Sequence, residues 1–455
     1  MREHSLSGYG VMFADVLPAG FLSEIDPTKR NRHFGCVPVF WAWLAQVIEG
    51  NASCSKAVSM IQSWHRAHGL PAPSADTSSY CKGRQRLCES FISKISARVD
   101  EYLQRHVHET DLWNGMVLKA IDGSSVKLTD AEANQAVYPQ PNQQKPGCGT
   151  PVMNVAGLIN LSHGGWEAFN TAPSNEHDHA MAHAMLDHLG SGDLLMGDRA
   201  YCSYALIAAV RHRGAHALMR LHQKREGVLN WAKGKRISPH ERLVTWKRPQ
   251  YPVARGYTRE QWAALPETME LRLIRLGYED RVGRRRHMTV VTTLTDTERY
   301  DGIELHALYA RRWEIELRLR DIKTTLGFEM FHAKTPEMAN KTLTMIRITY
   351  NLMRVLMQCA AQEAGVATGS MSFKEAIDLC SSIHESFRAV ANKPRKRKEH
   401  MRFFIEMLAA RVVNQRPGRR EPRAVKIRPK PFPLLTAPRH EYTEIPHRSN
   451  YRASA

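Results

Sequence analysis

Between residues 116 and 221 the apolar pattern leaves helical spacing for short β-rich runs separated by helices, and this switch narrows what the chain can fold into. The runs over 116–128 (MVLKAIDGSSVKL), 151–161 (PVMNVAGLINL) and 166–172 (WEAFNTA) read as three adjacent strands. A helical stretch over 177–190, a short strand over 193–198 (DLLMGD), a helix through YCSYALIAAVRHRG and a strand over 215–221 follow. The order β-β-β-α-β-α-β predicts an α/β layer architecture, a sheet with helices against it.

The flanks are different. Residues 1–105 predict helices: 40–50 and 55–69 carry apolar residues at helical spacing, and each closes on a glycine suited to a left-handed cap. Over 77–105, capping residues precede a helix with Lys82, Arg84 and Arg86 in its early turns, a candidate DNA-reading element or an ordinary solvated face. Residues 222–287 break the α/β rhythm with a hairpin-like HERLVTWKRPQYP and a long polar ribbon, predicting an inserted β subdomain. A strand over 288–296 returns to a helix running from near Ile303 past Lys323. Helices then fill 331–414, and the Pro- and Arg-rich segment 415–455 predicts an extended tail. The predicted divisions are 1–105 (helical, DNA-binding), 106–221 (core, first part), 222–287 (insertion), 288–330 (core, second part), 331–414 and 415–455.

Composition bears on the partner. Lys and Arg number 64 against 45 Asp and Glu, a formal net charge of +19 that must lie largely at the surface and favours a polyanion. No apolar run is long enough to span a bilayer and no glycine-rich Walker loop is present, so the expectation is a cytoplasmic, nucleoid-associated protein without ATP-driven motion. The eight cysteines form no C-x-x-C pair and predict reduced thiols.

The segment that carries chemistry is Tyr309-Ala-Arg-Arg312-Trp-Glu-Ile-Glu316, with Lys323 seven residues further on. At about 100° per residue, positions 309, 312, 316 and 323 project at about 0, 300, 340 and 320°, one face about 60° wide. Leu308, Ile315, Leu319, Ile322 and Leu326 form a neighbouring apolar stripe that would anchor the helix. An exposed helix with i, i+4 ion pairs explains this pattern equally well by itself. Two further acids tip the balance: Asp122 emerges from the first strand of the α/β layer and Asp198 closes the fourth. Phosphodiester hydrolysis or exchange needs an activated nucleophile and a stabilised leaving oxygen, which two divalent ions about 3.5–4 Å apart provide. Three carboxylates without histidine or cysteine partners suit Mg²⁺, with Mn²⁺ as substitute, rather than zinc.

These residues resemble the bacterial insertion-sequence DDE transposases of the insertion sequence four-like group, whose last acid lies in a Y-x2-R-x3-E-x6-K signature. Tyr309, Arg312, Glu316 and Lys323 match it residue for residue, Asp122-Gly123-Ser124 resembles the segment of the first acid, and Gly197-Asp198-Arg199 with Tyr201 that of the second. The resemblance runs from about 30 to 435 and takes in QQKPGCGTPV (143–152) and RPGRREPRAVK (416–426). It implies an RNase H-like core with a β insertion between the second and third acids. Asp122, Asp198 and Glu316 would be the catalytic acids and bind metal, while Tyr309, Arg312 and Lys323 would position phosphates. It further implies cleavage at transposon ends, strand transfer into a target duplex, recognition of terminal inverted repeats and a homodimer on paired ends. Some members stack a tryptophan from the end of the insertion on an extruded base; Met288 stands there in this chain, leaving Trp246 as the substitute. His177, His179, His183 and His188 offer one pair at metal-compatible spacing but no convincing ligand shell, and KPRKRK (393–398) reads as backbone contact or solvation. A nuclease that cuts without joining and a non-catalytic DNA-binding descendant are the rival readings.

Overall fold

The structure, a computed structural model, describes residues 8–28, 33–142, 145–174, 178–251, 257–279, 284–413, 435 and 437–443. The RPGRREPRAVK segment and His177 lie outside them.

Helices open the chain: α1 (Gly8–Met12), α2 (Ala19–Ile25), α3 (Cys36–Ile48), α4 (Cys54–Ala67), α5 (Ser78–Arg86) and α6 (Glu89–Arg105). Gly50 and Gly69 take φ of 70° and 67° just beyond α3 and α4, a left-handed backbone that glycine adopts without Cβ strain. The basic helix expected to run through 77–105 is two helices, because the backbone turns extended at Leu87 and Cys88. Leu87 is buried there, so packing fixes the break.

The sheet follows as β1 (Leu118–Leu128), α7 (Glu132–Val137), β2 (Val152–Asn160), β3 (Trp166–Pro173), α8 (Asp178–His183), β4 (Leu194–Gly197), α9 (Tyr204–His212) and β5 (His216–Arg220). The inserted segment gives β6 (Lys235–Ser238), β7 (Glu241–Lys247), α10 (Arg259–Ala263), β8 (Thr268–Glu279) and β9 (Arg285–Thr292). Then come α11 (Gly302–Tyr309), α12 (Trp313–Arg320), β10 (Met330–Phe331), α13 (Pro336–Ala364), α14 (Phe373–Arg388) and α15 (Pro394–Ala409). Short α7 is absent from the sequence reading; the KPRKRK run, read there only as charge, opens helix α15 within the helical 331–414 region, and few of its residues are buried, chiefly Phe404 and Leu408.

Among the described residues the strands form one ten-stranded sheet in the order β3-β2-β1-β4-β5-β9-β8-β7-β6, with β10 paired to β1. The first three strands are an antiparallel meander, and β4 and β5 run parallel to β1. This is the RNase H-like order that the resemblance implied. The insertion is continuous with it, because β9 pairs antiparallel with β5 through Leu218–Thr292, Met219–Val291 and Arg220–Val290. β9 also starts earlier than expected, at Arg285, since its first half forms a hairpin with β8.

Alternation along each strand sorts side chains between two cores. Leu118, Ala120, Leu194, Met196, Leu218 and Val290 face one, shared with the amino-terminal helices and α11 to α14. Ile121, Leu195, Met219 and Val291 face the other, with α8 and α9. Asp122 therefore shares the face of Ala120 and looks toward α12.

Candidate active site

Asp122 sits in the middle of β1 and reaches open space because its strand loses a neighbour there. β4 pairs with β1 only as far as Ile121–Gly197, and β10 joins the same edge only at Lys127. Between them lies a cleft of about 360 Å³ lined by Asp122, Gly123, Ser124, Ser125, Asn154, Asp198, Ala200, Tyr201 and Lys323. Asp198 follows the last residue of β4, and its Oδ1 accepts from the Ala200 backbone N–H at 2.7 Å, which aims the carboxylate over the strand end. Asp122 Oδ1 accepts from the Gly123 N–H at 2.8 Å.

The helical segment after β9 approaches from above. Asp301 caps α11 by accepting from Glu304 N–H at 2.9 Å. The path continues through a tightened 3₁₀ turn over Ala310–Arg312, then α12, then a widened π turn over Asp321–Thr325. Tightening and widening offset one another, so Lys323 still lines the cleft with the acids. The apolar stripe packs as expected: Leu308, Ile315, Leu319, Ile322 and Leu326 are all buried.

Arg312 ties two of the acids together. Its Nη2 donates to Glu316 Oε1 at 2.8 Å and its Nη1 lies 3.7 Å from Asp122 Oδ2. The Tyr309 hydroxyl, buried, donates to the Gly197 carbonyl at 3.2 Å and so braces the residue before Asp198. Burial also pushes the Tyr309 phenol up to about 12, which keeps it a donor. Burial is likewise the main reason the Asp122 carboxyl rises to about 6; Asp198 and Glu316 add to the rise, and the Gly123 N–H and Arg312 oppose it.

The donor set fits hard divalent ions. Two carboxylates, Asp122 and Asp198, line the cleft, Glu316 lies on the helix above it, and the Asp122 carboxylate is held at a cost without added positive charge. Among the described residues no three ligating side chains close on one point, and Glu316 is paired with the Arg312 guanidinium.

Other expected contacts fall elsewhere. Trp246 is 1% exposed, edge-on to the Tyr204 ring beneath the insertion strands, so it cannot stack on a base without dismantling that core. Met288 lies within β9, half-buried. The large aromatic open to solvent on the signature helix is Trp313, 55% exposed; the sequence pattern missed it because it sits off the apolar stripe. Lys82 and Arg86 are exposed, whereas Arg84 is half-buried with its guanidinium 4.1 Å from the centre of the Trp43 ring. His183 hydrogen-bonds with Tyr257, and no histidine-based metal cluster forms among the described residues.

Three antiparallel strands followed by two parallel to the first make the RNase H-like sheet order. The family model described as "Transposase DDE domain" matches residues 113–352, and the chain belongs to this family of DDE transposases. The chain is 26% identical over 423 residues to the transposase InsG for insertion sequence element IS4 of Escherichia coli (strain K12), covering 90% of this chain and 89% of that one. A piggyBac transposase synaptic complex with hairpin DNA aligns with a TM-score of 0.43 at 10% identity, over 92% of this chain and 84% of that one. No helix among the described residues is long and apolar enough to cross a membrane.

Proposed function

We propose that the chain cuts DNA at the ends of an insertion sequence and joins the freed 3′ ends to a target duplex, with Asp122, Asp198 and Glu316 as its catalytic acids. The observation that carries this is that carboxylates from the middle of β1 and the end of β4 line one open cleft with Lys323, while Arg312 spans the first of them and Glu316 of α12. These three side chains would hold Mg²⁺, or Mn²⁺ in its place, which supplies activation of the attacking oxygen and stabilisation of the leaving oxygen. Lys323 points a cation into the cleft where a DNA phosphate would lie. Arg312 serves the same phosphate once it releases Glu316, and Tyr309 keeps Asp198 in place by bracing Gly197. Trp313 is positioned to stack on a base displaced beside the cut. Two copies of the chain pairing two inverted-repeat ends would complete the assembly.

The test is a strand-transfer assay with labelled duplex carrying the ends that flank this gene, a supercoiled target and Mg²⁺ or Mn²⁺ against chelator. Metal-dependent joined product, lost in Asp122→Asn, is expected. Degradation without joining would establish a nuclease instead, and specific binding without cleavage under any metal a DNA-binding descendant.

A further inference from the structure

Ser124 stands two residues beyond Asp122 on β1, so strand alternation puts it on the same face as the first acid. It lines the cleft with Asp122, Asp198 and Lys323, at the stretch of β1 edge left open between β4 and β10. Its Oγ is shielded from solvent and has no hydrogen-bond partner. A buried hydroxyl in that condition costs the fold the loss of its hydration, and nothing in the packing asks for it. Ala120 and Val126 occupy the same face of the same strand as apolar, fully buried residues.

We infer that Ser124 is a substrate-positioning residue, whose hydroxyl donates a hydrogen bond to a non-bridging oxygen of the DNA phosphate being cut. The carboxylates beside it accept and therefore attract cations, while Ser124 and Lys323 are, with Ser125, Asn154 and Tyr201, among the donors of the same cleft that suit an anionic oxygen. In the free protein the donor has no acceptor; in the complex the phosphate supplies one, so the interaction forms only when the reacting group is in place. The inference rests on the proposed cleavage activity.

The experiment measures single-turnover nicking in Mg²⁺ of duplex carrying the ends that flank this gene, with wild type, Ser124→Ala and Ser124→Thr. Each is run on all-oxygen DNA and on the two phosphorothioate diastereomers of the scissile phosphate, alongside thermal unfolding of the metal-free proteins. Ser124→Ala should slow nicking of all-oxygen DNA roughly 100-fold, and Ser124→Thr should recover most of the loss. On the one diastereomer whose sulfur replaces the accepting oxygen, wild type and Ser124→Ala should differ by only a few-fold. Metal-free Ser124→Ala should melt about 1–4 °C higher than wild type, because an unpaired buried hydroxyl is gone. Equal slowing on all three substrates, a wild-type rate for Ser124→Ala, or a lowered melting temperature would each overturn the inference. Wild type that nicks no end DNA under any divalent ion would overturn the cleavage reading and this inference together; normal wild-type cutting with an unaffected Ser124→Ala would remove this inference alone.

Discussion

β1 carries two clusters of charge only three residues apart, and they are built to opposite ends. On one face Lys119 is buried and reaches Glu167 at 2.8 Å, Asp193 at 2.9 Å and the His188 carbonyl. Burial pushes the Lys119 ammonium down, but the two carboxylates outweigh it and the pKa ends above the ordinary lysine value. On the other face Asp122 shares a cleft with Asp198 and Lys323, and Arg312 is stretched between Asp122 and Glu316. The first cluster is closed, with each charge answered inside the protein. The second is left short of positive charge and of hydrogen-bond partners. Both are polar and partly buried, so polarity alone does not separate a structural cluster from a working one; incomplete pairing does.

The contrast breaks first if activity and stability fail to separate. Glu316→Gln should lower strand transfer at least about 1,000-fold while keeping end binding; a rate within a few-fold of wild type would take Glu316 out of the site. Lys119→Met leaves two buried carboxylates unanswered and should cost about 3–5 kcal/mol of stability in urea unfolding. Its nicking rate per folded molecule should stay near wild type, and a selective loss of nicking would mean the two faces are coupled.

A third experiment sharpens the comparison through pH. Asp122 has a folded pKa of about 6, above the usual value near 3.9, so the fold favours its protonated form. The metal-free protein therefore loses stability as pH rises from about 4 through 6, by on the order of 2–3 kcal/mol in all. Metal-free Asp122→Asn should be more stable than wild type at pH 8, with the gap closing as pH falls toward 4. A pH-independent gap would show that the carboxylate is not under-compensated. Mg²⁺ should raise the melting temperature of wild type and not of the variant.

The tryptophans repeat the contrast at smaller scale. Trp313→Ala removes a mostly exposed ring and should change stability by under about 0.5 kcal/mol while weakening end binding by about 1–2 kcal/mol in a titration. Trp246→Ala should do the reverse, destabilising the insertion strands by about 3 kcal/mol or more. Equal effects of both on binding would restore Trp246 as a DNA contact.

How legible these regions were follows from their physics. The strand order was visible because period-2 alternation and short apolar runs are local signals, and the face shared by Tyr309, Arg312, Glu316 and Lys323 was visible because helical geometry is local too. The gap in the β1 edge was hidden, since it depends on where β4 stops and β10 begins, two strands far apart in sequence. Trp246 misled for a related reason. In VTWKRP it looks like an exposed hairpin residue, and only its pairing with Met269 on β8, under Tyr204, makes it core. The Lys119 cluster was equally hidden, because Lys119, Glu167 and Asp193 come together only once β3, β2, β1 and β4 are side by side.

Helix α13 binds parts of the chain that are translated at very different times. From it Arg347 pairs with Asp100 of α6 at 2.6 Å, Asn351 donates to that same carboxylate at 2.9 Å, and Arg354, wholly buried, donates to the His163 carbonyl beyond β2. A growing chain holds Asp100 and the turn after β2 with those groups unanswered until some 250 further residues beyond Asp100 have been made. The amino-terminal helices and the sheet thus wait on α13 before either is fully sealed. A ribosome-stalled chain ending near residue 330 should engage chaperones strongly and resist proteases poorly, and one extended past residue 365 should do neither.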